Sequence, residues 1–517
     1  MTQERTKIGV PRPVVLILLA LILILSYRFR TYRLDYTPGW FRDEGTYLEV
    51  SRRIGNGQLQ LGAVNITFVG PNMTHPPLYF ALTSLFMKAT HTDMHFFRLS
   101  NALLGVLATL LIFFLGYEAG RYGEPLAPPG AHAEILGLLS AFFYAIHSDA
   151  VMYNRMGFPY NLYLVEGILL MLFALRYLRK RDFFWCLATC VVAGAALLTV
   201  YYSIVFIPFL FLIILMQKKP RHFWALVCIP IPLIIFLYFM ASSGTHGFWE
   251  DLTALRKASK AGSLYVTLYH YHDFFETGIT YFVGLAGLLL LRRKSAGVYL
   301  FILYLLMIHI VLRKEDTIIK FVHYPVIPIL PLVALGCAAL TLFSLGQLFT
   351  SRPAAGLLLI PILLASYLSI NQVRHGIHGR FYSSLEFGMT KNTNDTWDVA
   401  SYLQRKVNST DLVLSNTTLW SLLPCRYADL SQSLAFNGEM VDFYRHPVPR
   451  ERFLFSPALE GAAYVVMDSF TDQWKLSAPA TLNFPLRELV NKVEQTWQLV
   501  YEKGEYRVYE NPAILTK

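Results

Sequence analysis

Two adjacent carboxylates, Asp43 and Glu44, follow the first apolar run of the chain, in the segment 40–49 that reads Trp-Phe-Arg-Asp-Glu-Gly-Thr-Tyr-Leu-Glu. Acidic residues in a first helical turn commonly offset the helix dipole, and the pair could do no more than that. A carboxylate at a membrane surface that faces a helix bundle is costly, however, unless it is used. The chemistry open to it is that of a general base, which takes a proton from a hydroxyl group.

Two further polar residues follow at helix entries. His75 precedes two prolines in Thr-His-Pro-Pro-Leu-Tyr-Phe, and prolines commonly fix the chain at the start of a helix. Arg98 stands at the head of the next long apolar run. Both are candidates for binding a polar substrate at the mouth of a helix bundle.

Positive charge also gathers near residue 320, where Lys320 and His323 precede Tyr324. Fixed positive groups stabilise a departing phosphate. Most such charges at a membrane edge bind lipid headgroups or extend towards water. We favour a substrate-binding role for Lys320, His323 and Arg98, because each lies at the mouth of a predicted span, and we add Tyr324.

The sequence gives no metal site. His270 and His272 alternate as on a strand, but no third ligand accompanies them. No cofactor is therefore assigned, and participation of a divalent cation stays open.

The composition defines the setting of these residues. The chain is 55% hydrophobic and only 15% charged, whereas a soluble domain carries about 25% charged residues. Its net charge of +11 comes from short basic clusters between apolar runs, which favours membrane orientation over nucleic-acid binding. The sequence thus predicts a polytopic membrane protein.

About eleven apolar runs approach the roughly 20 residues that a membrane span needs. They cover 14–27, 99–116, 134–148, 160–177, 183–198, 200–216, 222–241, 279–291, 297–312, 322–346 and 354–371.

Basic clusters at 176–181, 218–221 and 292–294 fix the orientation. All three are cytoplasmic if the N-terminus is cytoplasmic and if residues 77–90 lie at the outer interface instead of spanning. The loop 28–98 and the tail after 371 are then extracytoplasmic. If the organism is prokaryotic, the membrane is the plasma or inner membrane.

Hydropathy falls in the tail, 372–517, which predicts a small soluble α/β domain. We expect helices at 397–407 and 486–497, strands at 411–415 and 462–467, and a closing hairpin at 499–509. The predicted fold is mostly α: a membrane helix bundle over 1–371 with a C-terminal α/β domain over 372–517.

An Asp-Glu pair after the first span, a His-Pro-Pro-Leu-Tyr helix and an Arg at the head of the second span occur here in that order. This order resembles the membrane glycosyltransferases of the GT-C fold. The likeness is closest to the branch with protein O-mannosyltransferases and lipid A aminoarabinose transferases, similar to glycosyltransferase family 39. It covers most of residues 1–340.

The resemblance implies an activity. Members of the branch move a sugar from a polyprenyl phosphate to an acceptor on the extracytoplasmic side. Asp43, the first acid of the pair, would be the catalytic base, with Glu44 beside it. The partners would be the lipid-linked donor, membrane lipids and a protein, lipid or glycan acceptor.

The chain departs from the family pattern at two places. Many relatives carry a second acid in the outer loop after span three, where this chain has Asn161; Asp149 lies earlier and could substitute. Relatives often show Thr-Lys in a later helix, where this chain reads Thr199-Val200. We count Asp149 and Asn161 among the substrate-binding candidates.

Two other functions fit a polytopic membrane protein. A transporter or flippase for a lipid-linked or small polar substrate would usually show internal repeats and polar or broken helices at mid-membrane. Here the polar residues gather at the outer ends, which favours an interfacial enzyme. A membrane-anchored assembly protein would act through residues 372–517, and the acid pair in the first loop argues against it.

Overall fold

The computed structural model describes residues 10–58, 60–65, 76–122, 132–242, 275–291, 300, 303, 329–348, 353–379, 389–440, 447–477 and 484–514. The chain divides into two compact units. The first unit holds residues 1–32, 101–237 and 260–384, and the second holds 33–100, 238–259 and 385–517. The second unit therefore combines the first predicted outer loop with the tail.

Helices dominate the described part of the chain. In chain order they are α1 (Arg12–Thr31), α2 (Arg42–Gly55), α3 (Leu78–Ala89), α4 (Met94–Tyr122), α5 (His132–Ile146), α6 (Ser148–Asn154), α7 (Tyr160–Lys180), α8 (Phe183–Leu197), α9 (Phe206–Met216), α10 (Pro230–Ser242), α11 (Phe275–Leu291), α12 (Leu330–Leu348), α13 (Leu359–His378), α14 (Thr393–Gln404), α15 (Thr417–Trp420), α16 (Leu430–Phe436), α17 (Ser469–Ser477) and α18 (Phe484–Thr496). Short 3₁₀ helices occupy Tyr201–Val205, Pro220–Cys228, Pro353–Leu358, Arg450–Arg452 and Leu459–Gly461.

Six helical stretches of the described residues are long and apolar enough to cross a membrane. They are Arg12–Thr31, Met94–Arg121, Tyr160–Lys180, Pro220–Tyr238, Leu330–Leu348 and Gly356–His378. The pair α5 and α6, bent by 65°, is a seventh if it counts as one span. The predicted multi-pass helix bundle is confirmed, and every predicted run has a matching helix except 297–312, which lies almost wholly outside the described residues.

The spans of the first unit differ in how far they are enclosed. In α7 and α12, 83% of the apolar window is buried, whereas in α1 only 22% is. Leu16, Ile17 and Ile24 of α1 are exposed. An apolar helix face of this kind is suited to lipid, because lipid tails are as apolar as leucine.

The second unit is built on a mixed five-stranded sheet. Its strands are β3 (Leu412–Leu414), β4 (Arg426–Ala428), β5 (Tyr464–Met467), β6 (Gln498–Lys503) and β7 (Tyr506–Glu510), in the spatial order β4-β3-β5-β7-β6. Strand β3 is parallel to both β4 and β5, and β7 is antiparallel to β5 and β6. The predicted α/β tail is confirmed.

The described residues between α1 and α4 from Arg33 onward belong to the same unit. They form a small hairpin from β1 (Gln60–Leu61) and β2 (Val64–Asn65), and Val64 bridges to Phe453 of the tail. The Leu454 amide donates to the Ala63 carbonyl at 2.9 Å. The helix predicted over 77–90 is α3, which packs on α2 through a 2.8 Å hydrogen bond between Ser51 and Thr83.

Candidate active site

Asp43 occupies the first turn of α2, and its carboxyl group makes no hydrogen bond or ion pair within the described part of the chain. The residue is half-buried, so part of it remains accessible. Burial raises the pKa of Asp43 to about 6, with Arg42 lowering and Glu44 raising the value by charge. A carboxylate with a pKa near neutrality and no competing donor is suited to accept a proton.

Glu44 has the opposite environment. It is buried, and its carboxylate accepts two hydrogen bonds from Arg98, at 2.8 Å from Nε and 2.5 Å from Nη2. It also accepts the Phe41 amide at 2.9 Å, which caps the start of α2. Both carboxylate oxygens are therefore engaged, and the geometry gives Glu44 a positioning role.

Arg98 uses all five of its N–H groups inside the protein. Besides Glu44, it donates to the carbonyls of Leu34 at 3.0 Å, Pro38 at 2.8 Å and Gly39 at 2.9 Å. Arg98 thereby ties the loop before α2 to the first residues of α4. Sequence reasoning proposed Arg98 as a substrate cation, but no N–H remains for a substrate, and the geometry favours positioning instead.

The loop before α2 is also fixed by the tail. The Trp40 amide donates to Thr390 Oγ1 and the Thr390 amide donates to the Trp40 carbonyl, each at 2.9 Å. A Cβ at Gly39 would lie 2.0 Å from the Thr390 carbonyl oxygen, so the approach requires glycine. Trp40 packs edge-on against Trp397, with ring centroids 5.4 Å apart.

The first unit contains the two candidates for a second polar site. Asn161 is buried and committed: it accepts from Asn154 at 2.8 Å and donates to Asn101 at 3.0 Å, to the Tyr153 carbonyl at 3.0 Å and to the Met156 carbonyl at 2.8 Å.

Asp149, in contrast, is half-buried and accepts one hydrogen bond, from the Tyr281 hydroxyl at 2.8 Å. Of the two residues, Asp149 is therefore the one whose side chain can still accept a hydrogen bond from a ligand.

The remaining candidates, His75, Lys320, His323 and Tyr324, lie outside the described residues, as do His270 and His272. Their predicted roles stay predictions. Among the residues that the structure describes, no group of three or more His, Cys, Asp or Glu side chains could hold a metal ion.

Sequence reasoning missed Arg42, which directly precedes Asp43. Its guanidinium lies 3.5 Å from Asp429 Oδ2 and over the rings of Phe470 and Trp474, at 4.6 and 5.3 Å from their centroids. The signal was a basic residue beside two acids, but these three partners of its side chain lie more than 380 positions further along the chain.

A family model matches part of the sequence, and solved structures match the fold. The family model "Dolichyl-phosphate-mannose-protein mannosyltransferase" matches residues 74–241, which is less than half of the chain. No curated protein is significantly similar in sequence.

Solved structures match over almost the full length. ArnT from Cupriavidus metallidurans bound to undecaprenyl phosphate has a TM-score of 0.61 at 15% identity, covering 98% of this chain and 99% of that one. The oligosaccharyltransferase of Archaeoglobus fulgidus in the apo form has a TM-score of 0.54 at 12% identity, covering 97% and 74%. At identities this low, the structural matches establish the fold alone, which is the GT-C fold of membrane glycosyltransferases. The predicted resemblance is confirmed.

Proposed function

We propose that the protein is an integral membrane glycosyltransferase that moves a sugar from a polyprenyl phosphate to an acceptor hydroxyl. The observation that carries the proposal is Asp43, a half-buried carboxyl group with a raised pKa and no protein partner in the described residues. The GT-C fold and the mannosyltransferase family match support the reaction class.

The reaction assigns one step to Asp43. The acceptor oxygen attacks the anomeric carbon of the sugar, and its proton passes to the Asp43 carboxylate. The bond between that carbon and the phosphate oxygen breaks, and the polyprenyl phosphate departs with the electron pair. A phosphate monoester is a good leaving group, so a base contributes more here than an acid.

The departing phosphate needs fixed positive charge. Lys320 and His323, with Tyr324 and His75, remain the residues that we propose for it, from their sequence positions alone. Arg98 is reassigned to positioning, because its donors are spent on Glu44 and on three carbonyls. We propose Asp149 over Asn161 for a second polar contact with the substrate.

We further propose that residues 28–98 and 372–517 face the extracytoplasmic side and that the N-terminus is cytoplasmic. The compact unit that contains most of both segments supports a common side for them, since a bilayer cannot divide one hydrogen-bonded body. The basic clusters at 176–181, 218–221 and 292–294 support a cytoplasmic N-terminus.

The test is a transfer assay with the full chain in lipid nanodiscs and a panel of undecaprenyl phosphates carrying radiolabelled mannose, glucose, arabinose or aminoarabinose. We expect one donor to be cleaved to undecaprenyl phosphate, with the label passing to an acceptor. Asp43→Asn should stop cleavage. The matched control is Asp35→Asn, because Asp35 lies in the same loop but has a side chain that is 38% exposed and pairs with His95 at 2.8 Å. Transport of an intact lipid-linked sugar without cleavage would favour a flippase instead.

A further inference from the structure

The sheet of the second unit has a crevice of the kind that usually binds a ligand. The chain leaves β3 towards β4, at one edge of the sheet, and leaves β5 towards β6 and β7, at the opposite edge. The two connections therefore leave neighbouring parallel strands in opposite directions. In open α/β sheets such a switch point, at the carboxyl ends of the strands, is where ligands bind.

In this chain the first turn of α2 occupies the crevice. Thr417, in the connection after β3, donates its hydroxyl to the Arg42 carbonyl at 2.5 Å. A Cβ at Gly45 would lie 2.3 Å from the Thr417 carbonyl oxygen, so only glycine permits this approach. Asn416, after β3, also donates to Asp468, after β5, and joins the two edges.

Arg42 extends the contact between α2 and the sheet to the ends of β4 and β5. Its ion pair with Asp429 reaches the residue that follows β4 and caps α16. Its stacking on Phe470 and Trp474 reaches α17, the helix that follows β5. The three adjacent parallel strands, β4, β3 and β5, therefore send residues from their carboxyl ends to the turn that contains Asp43.

We propose that the C-terminal α/β domain is a positioning device for the catalytic base, in which the switch-point crevice binds the Asp43 helix in place of a ligand. Thr417 and Asp429 are positioning residues that act through Arg42. The assignment of Asp43 as the base rests on the proposed function, whereas the docking of α2 rests on contacts alone.

Several charges face this turn, and they decide the expected pH response. Arg42 and Glu44 come from α2, Asp429 comes from the end of β4, and the Glu44 charge is balanced by Arg98. Removing the Asp429 charge leaves Arg42 less compensated beside Asp43. Asp43 should then ionise more easily, so the acid limb of the transfer reaction should move to lower pH by several tenths of a unit.

The docking is tested by hydrogen exchange in the full chain in detergent, followed by mass spectrometry of peptides that cover residues 42–48. Thr417→Val and Asp429→Asn keep side-chain shape and should each raise exchange there at least about fivefold, because local opening limits exchange. The control is Asp398→Asn, which removes an exposed ion pair with Lys503 in the same domain and should change nothing. Unchanged exchange in both test variants would overturn the proposal.

The second arm is the pH profile of sugar release from the panel donor that the wild-type chain cleaves. If exchange responds but the wild-type chain cleaves none of the panel donors, the docking stands and the proposed function fails. If the wild type cleaves the donor, and Asp429→Asn changes neither exchange nor the acid limb, the glycosyltransferase stands and the positioning role fails.

Discussion

Asp43 and Glu44 are consecutive residues of one helix, yet the Glu44 carboxylate holds both arms of Arg98 while the Asp43 carboxyl binds none of the described residues. Successive helical residues point about 100° apart, so they cannot share one environment. Glu44 faces the loop and α4 and fixes the helix start. Asp43 is left without a partner among the described residues, which under the proposed function makes it available to the acceptor hydroxyl.

The first prediction concerns the base. Asp43→Asn should reduce sugar transfer by about 10²–10⁴-fold, the usual range for a positioned base, because an amide cannot take the proton. Binding of undecaprenyl phosphate, followed by native mass spectrometry, should be retained. Normal transfer in this variant, alongside normal transfer in Asp35→Asn, would remove Asp43 from the mechanism.

The pH dependence of transfer follows from the same residue. With a pKa of about 6, Asp43 is ionised above that pH and protonated below it. The kcat/KM for transfer should therefore fall about tenfold per pH unit below pH 6 and level off above it. A profile measured between pH 4.5 and 8 checks this. An acid limb near pH 4, the ordinary range of an aspartate, would contradict it.

The stability of the fold should fall as the pH rises, whereas the transfer activity should increase. The folded-state pKa of Asp43 lies above its ordinary value of 3.8, so the folded chain binds more protons between pH 4 and 6. Stability from this group is present at low pH and lost as the pH rises through that window. At pH 7.5, Asp43→Asn should raise the melting temperature, with a free-energy gain of at most about 3 kcal/mol. An equal or lower melting temperature would argue against a desolvated carboxylate.

The buried pair of Glu44 and Arg98 should behave as a structural unit. Glu44→Gln leaves a buried guanidinium without its counter-charge and should cost about 3–5 kcal/mol of stability. Arg98→Met leaves an uncompensated carboxylate and should cost a similar amount, whereas the double variant should cost much less than the sum. Thermal unfolding in detergent measures the cycle. Additive losses would mean that the two side chains do not interact.

Hydropathy and charge sufficed to predict a multi-pass helix bundle with a small α/β domain at its C-terminal end, and they singled out the acid pair as a candidate. They could not tell which acid is available, because the answer depends on Arg98 reaching back to Glu44 across 54 positions. Strand β4 was missed since three residues, Arg-Tyr-Ala, carry no readable period. The docking of α2 on Thr417 and Asp429 could not be predicted from the sequence either, because its contacts join distant parts of the chain.

Substitutions of Asp149 and Asn161 should have different effects, on transfer for Asp149 and on stability for Asn161. Asp149→Asn keeps an oxygen that can accept the Tyr281 hydroxyl, so the fold should survive while transfer drops. Asn161→Ala strips partners from Asn154, Asn101 and two carbonyls and should lower stability by about 1–3 kcal/mol for each group left without a partner. Melting temperature and transfer rate, measured on both variants, decide. Full activity in Asp149→Asn would end its candidacy as a substrate contact.

The last prediction tests whether the first outer loop and the tail share one side of the membrane. Val64 and Phe453 are antiparallel bridge partners, and such partners have Cα atoms about 4.5–5.5 Å apart, within the range that a disulfide spans. Val64→Cys with Phe453→Cys should therefore cross-link under mild oxidation in intact membranes. Cleavage at a protease site inserted at residue 440, which is exposed, then reveals the bond as two fragments that separate only on reduction.

Either cysteine alone is the control, made in a Cys425→Ser background because Cys425 is the one native cysteine of the tail. A membrane-impermeant thiol reagent, applied to intact cells, should label both single variants or neither. Labelling of one and not the other, together with no cross-link, would mean that the two segments lie on opposite sides of the membrane. The compact unit that brings the tail to Asp43 would then not exist in the cell.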